Sequence, residues 1–83
     1  MRYLFMCRSL TYAQRAARAL ERGGVNTGVV KAPQPLTGNG CGYCVSVSFK
    51  NGGKAADILR REGLMQGKIY EEQPDKSYRE VVL

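Results

Sequence analysis

Residues 43–49 read Tyr43-Cys44-Val45-Ser46-Val47-Ser48-Phe49. The odd positions are large and apolar, and the even positions are small or polar. A period of two is the mark of a β-strand, because successive side chains point to opposite faces. This strand is expected to bury one face and leave the other polar. Asn51-Gly52-Gly53 is expected to break it. On its N-terminal side lies Gly38-Asn39-Gly40-Cys41-Gly42, which with Cys44 holds two of the chain's three cysteines. Glycines on both sides of Cys41 free the backbone and leave a thiol uncovered. A loop of that kind suits a reactive group presented by a rigid scaffold.

Working outward, the segments before this strand mirror those after it. Residues 2–7, Arg-Tyr-Leu-Phe-Met-Cys, are apolar and β-prone. A helix is expected next, with Thr11 as N-cap and Gln14 completing a capping box. Ala13, Ala16, Ala17 and Leu20 recur at helical spacing, Arg15, Arg18 and Arg22 point elsewhere, and Gly23-Gly24 ends the helix. Thr27 to Ala32 forms a second strand, stopped by Pro33 and Pro35. Beyond the central strand, Lys54 to Glu62 reads as a second helix with Ala55, Ile58 and Leu59 inward and Gly63 as its stop. Lys68 to Glu71 reads as a fourth strand.

The order β-α-β-β-α-β predicts an α+β, ferredoxin-like fold. Its four-stranded antiparallel sheet would carry two helices on one face and leave the other face open. Residues 1–72 would form this domain, and residues 73–83 a charged tail or an extra edge strand through Tyr78, Val81 and Val82.

Eighty-three residues allow one modest core. No apolar run is long enough to span a bilayer, and no export signal is evident. The expected location is therefore the cytoplasm, where thiols stay reduced, and an odd cysteine count argues against a disulfide framework. Without histidine, the chain excludes Cys-His catalysis on its own and lacks the commonest nitrogen metal ligand. Thirteen Lys and Arg against seven Asp and Glu give a net charge of +6, a surface that attracts acidic partners.

In the expected topology the first and third strands are antiparallel neighbours. Cys7 then ends one beside the start of the other, and Cys7, Cys41 and Cys44 gather at one end of the sheet. The start of the first helix, near Ser9, lies there too, with Arg8 and Lys31. A helix N-terminus and nearby cations favour a thiolate.

The Tyr-Leu-Phe opening strand, the alanine-rich helix ending in glycine, the proline-bearing loop and Cys41-Gly42 before an alternating strand resemble a small bacterial family of selenium/sulfur carrier-like proteins. The resemblance covers about residues 2–71, and Cys41-Gly42 is its most specific feature. It implies that Cys41 is the family's cysteine. Two positions depart from the pattern: Gln34 stands where a basic residue is usual, and Cys44 where a small apolar residue is usual.

The expected function is that of a carrier or accessory protein. Cys41 accepts sulfur or selenium as a persulfide or selenosulfide and passes it to a partner enzyme. Gly40 and Gly42 support the thiol, Cys44 is a second candidate thiol able to release the cargo as a disulfide, and no cofactor is implied. Three alternatives stand beside it. A Cys-x-x-Cys redox module usually begins a helix, whereas a strand follows here. A metal site would draw on Cys7, Cys41 and Cys44 with a ligand from elsewhere. A nucleic-acid-binding module would use Tyr3 and Phe5 on the open sheet face, but that face also carries Cys44, Ser46 and Ser48 in place of aromatics. The open face also allows a homodimer.

Overall fold

The computed structural model describes residues 2–33, 36, 42–65 and 67–83. The elements are β1 (Arg2–Cys7), α1 (Leu10–Arg22), β2 (Thr27–Lys31), β3 (Tyr43–Ser48), a 3-10 turn (Phe49–Asn51), α2 (Gly52–Arg61), β4 (Ile69–Glu72) and β5 (Tyr78–Val81). The strands form one sheet in the order β2-β3-β1-β4-β5, and every neighbouring pair is antiparallel. The sheet is therefore five-stranded, not four-stranded. The fifth strand forms because Pro74 to Lys76 turns the chain back on β4. The backbone N–H of Gln73 donates to the Ser77 carbonyl at 2.8 Å, and Tyr78 lies opposite Glu72.

Register decides which side chains share a face. Tyr3 lies opposite Val47, Phe5 opposite Val45 and Cys7 opposite Tyr43. Directly opposed residues of an antiparallel pair point the same way. Phe5, Val45 and Val47 thus form one buried layer with Ala16, Ala19 and Leu20 of α1 and Ala55, Ala56, Ile58 and Leu59 of α2. Tyr3 and Cys7 pack at its margin. This corrects the placing of Tyr3 and Phe5 on an open face: both lie beneath the helices, because they match the odd positions of β3 and not Cys44 and Ser46.

The second face holds Leu4 and Met6 of β1 with Cys44 of β3. It is not open at its centre. Leu4 and Cys44 have 0% exposure, in a cluster with Ala32, Val30, Leu36 and Tyr78. Part of the β2–β3 connection, at Leu36, supplies cover that a partner would otherwise have to supply.

Local signals explain the helix boundaries. The N-cap of α1 is Ser9, not Thr11, and its hydroxyl accepts from the Tyr12 N–H at 3.3 Å. Ser9 is the second residue after β1, so the helix starts at the first available capping side chain. Both helices close in the same way. The Gly24 N–H donates to the Glu21 carbonyl and the Val25 N–H to the Leu20 carbonyl; Gly63 and Leu64 do the same to Arg60 and Leu59. Gly24 and Gly63 adopt φ +83 and +72, the left-handed cap that glycine enters without steric cost.

The helix α2 begins at Gly52, earlier than the expected Lys54, so Gly52 and Gly53 open it and do not break the chain. The reason is tertiary. A Cβ on Gly52 would lie 2.4 and 2.6 Å from ring carbons of Tyr3. Tyr3 also stacks on Phe49 at 4.7 Å, so the start of α2 sits directly on the aromatic end of the core.

Candidate functional site

The candidate site lies where β1 ends and β3 begins. Lys31 and Cys7 are both opposite Tyr43, so the ends of β2 and β1 flank the start of β3. The Ala32 N–H donates to the Gly42 carbonyl at 2.8 Å, which carries the β2–β3 pairing one step past the strands. Gly42, one of the two glycines expected to support the thiol, is thus held at the rim of the sheet. Gly40 and Cys41 lie outside the described residues. The helix α1 starts three residues after Cys7, so its N-terminus stands at the same end.

The two described thiols share this end but not a face. Cys7 borders the helix-covered core, while Cys44 lies in the second cluster with Leu4 and Ala32. The backbone of the sheet separates them. The strand period explains this: Cys44 pairs with Met6, so it lies one position out of phase with Cys7. Among the described residues no group of three Cys, Asp or Glu gathers in a manner suited to a metal ion.

Both thiols are held in the neutral form. Burial pushes the Cys7 thiol up to about 11, and its Sγ donates to the Phe5 carbonyl at 3.5 Å. Burial also pushes the Cys44 thiol up to about 11, with Arg2 acting against the rise and Cys7 adding to it. At pH 7 a thiol with that pKa is ionised in about one molecule in ten thousand. Since the thiolate is the nucleophile, neither group is activated where it stands.

The cations expected to stabilise a thiolate are both exposed. The Arg8 guanidinium lies 5.9 Å from the centre of the Tyr12 ring, and that of Arg15 lies 5.6 Å from it. Lys31 is placed by its pairing with Tyr43. The cation that acts on Cys44 is instead Arg2, which the sequence reading did not single out. A parity count would have found it, because Arg2, Leu4 and Met6 share the face that Cys44 occupies.

These features define a class: a small α+β protein with one buried and one half-buried thiol and a third cysteine in the sequence between β2 and β3. The chain belongs to the family described as "Putative Se/S carrier protein-like", which it matches over residues 2–71. No curated protein and no solved structure matches it. The matched span takes in β1 to β4 up to Glu71 and leaves β5 beyond it. Among the described residues no helix is long and apolar enough to cross a membrane.

Proposed function

We propose that this protein carries sulfur or selenium on Cys41 and delivers it to a partner enzyme. The observation that carries the reading is the state of the other two thiols. Cys7 and Cys44 are both pushed up to about 11 by burial, within a chain of a carrier-like family. That leaves Cys41 as the candidate for the reactive sulfur. Cys44 serves the core of the second face in this reading, in place of acting as a resolving thiol.

Loading is a transfer without net redox change. The Cys41 thiolate attacks the terminal sulfur or selenium of a donor persulfide or selenosulfide. A new bond to Cys41 forms, the donor's bond breaks, and the donor leaves as a thiolate. Delivery reverses the roles: an acceptor nucleophile takes the terminal atom, and Cys41 leaves as a thiolate. The order β2-β3-β1-β4, with both helices on one face, supports a ferredoxin-like unit extended by β5. Such a unit holds Gly42 at its rim while its thiols on either face stay inert. The cytoplasm, with its reduced thiol pool, is the compartment that suits this chemistry.

Incubation with a small-molecule persulfide donor, followed by mass spectrometry of the intact protein and its peptides, tests the reading. One added sulfur on Cys41 is expected in the wild-type, Cys7→Ala and Cys44→Ala proteins, and none in Cys41→Ser. Equal loading of Cys41→Ser would refute it.

A further inference from the structure

The surface charge is unevenly spread. Four of the seven acidic residues, Glu71, Glu72, Asp75 and Glu80, lie on the β4–β5 hairpin. Three of them are already paired: Glu71 with Arg79, Glu72 with Arg2 and Glu80 with Lys68. The helix α1 has the opposite balance. It carries Arg15, Arg18 and Arg22 against a single acid, Glu21. Arg22 pairs with Glu62, but among the described residues neither Arg15, Arg18 nor Arg8 takes part in an ion pair. Arg8 and Arg15 are drawn to one side of α1 by the ring of Tyr12 between them. Arg18 follows Arg15 by one turn, and residues three apart are neighbours on a helix.

We propose that Arg8, Arg15 and Arg18 form a docking stripe along α1 for an acidic surface of the partner protein. This rests on the carrier reading above and names where the partner sits. The stripe begins directly after Cys7, at the end of the sheet where Gly42 leads into β3. A partner seated on it would therefore lie beside the end of the sheet at which Gly42 enters β3.

The partner's chemistry follows from what the surface lacks. Single-stranded nucleic acids, bound without sequence reading, are held by aromatic faces that stack their bases as well as by basic side chains. Both Arg8 and Arg15 already lie against the Tyr12 ring, and Phe5 is buried beneath the helices. Carboxylates need only the guanidinium forks, which match them in a bidentate manner. A second copy of this chain is a poor occupant, because three of the four acids of its hairpin are held in their own ion pairs.

The test uses the full chain and two fluorescent probes of equal charge, poly-L-glutamate and a single-stranded RNA, titrated by anisotropy at low and high salt. Two triple variants remove the same charge: Arg8→Gln/Arg15→Gln/Arg18→Gln, and a control, Lys50→Gln/Lys54→Gln/Lys76→Gln. The stripe variant should bind poly-L-glutamate about tenfold more weakly at low salt, and the control about twofold more weakly. Equal losses in the two variants would reduce the effect to net charge and overturn the proposal. Tighter binding of the RNA, lost with the stripe, would overturn it in favour of a nucleic acid. Loading from the small persulfide donor needs no docking. It should stay at the wild-type level in Arg15→Gln/Arg18→Gln, which keeps Arg8 at the thiol end, so a failure of the carrier chemistry is read separately from a failure of the stripe.

Discussion

Replacing Cys44 separates a packing thiol from a reactive one. Its side chain has 0% exposure and lies among Leu4, Ala32, Met6, Val30, Leu36 and Tyr78. Cys44→Ser changes the size little but puts a strongly polar hydroxyl into this apolar cluster. Burying a hydroxyl without a partner costs about 1–3 kcal/mol. Cys44→Ala removes one heavy atom and leaves a small cavity, at about 1 kcal/mol. The polar isostere should therefore be the worse of the two. For a domain of this size each kcal/mol moves Tm by about 4–8 °C, so a 2 kcal/mol loss for the serine variant means about 8–16 °C. Urea denaturation under reducing conditions, with thermal melts alongside, gives both values. Alkylation of the native protein should reach Cys44 only as the chain unfolds. A serine variant within about 0.5 kcal/mol of wild type, or equal alkylation rates for Cys44 in the folded and unfolded chain, would refute the reasoning. Loading assays on the serine variant belong well below its Tm, since otherwise unfolding would pass for a chemical role.

Alkaline pH and the start of α2 supply two more expectations. Cys7 and Cys44 titrate near 11 when folded, against an ordinary value of 9.0. Between those values the unfolded chain has lost protons that the folded chain keeps, so stability falls as pH rises through this window. Urea melts from pH 8 upward should show that fall, and Cys44→Ala should flatten it; a slope identical to wild type would contradict the assignment. At the start of α2, Gly52→Ala would drive a Cβ to 2.4 Å from the Tyr3 ring, whereas a Cβ on Gly53 meets nothing within 4 Å. Gly52→Ala should cost about 1–3 kcal/mol and Gly53→Ala should gain up to about 1 kcal/mol, both read from urea midpoints. Matching effects at the two positions would remove the steric account.

Much of the architecture was legible because it rests on local periodicity. The alternation of residues 43–48 marked β3, the alanine spacing marked α1, and the glycines after each helix marked its end. The boundaries that moved did so for non-local reasons or through a competing local signal. Gly52 and Gly53 look like breakers until Tyr3 is brought against Gly52. Thr11 and Ser9 are both capping residue types, and only the path out of β1 selects Ser9. In the candidate site, the nearness of Cys7 to the start of β3 followed from topology. Their separation onto two faces followed from register, which is set between strands and not within one.

By itself the chain determined its element types, its α+β class, its positive charge and its resemblance to its family over residues 2–71, because each is written in the residues themselves. Only the tertiary structure decided that Phe5 lies beneath the helices, that Cys44 is fully buried in a cluster with Leu4 and Ala32, and that β5 completes the sheet. The physical reason is that burial depends on what arrives from elsewhere in the chain. A cysteine in an alternating strand reads the same whether water or a leucine covers it, and the cover decides whether its sulfur can ionise.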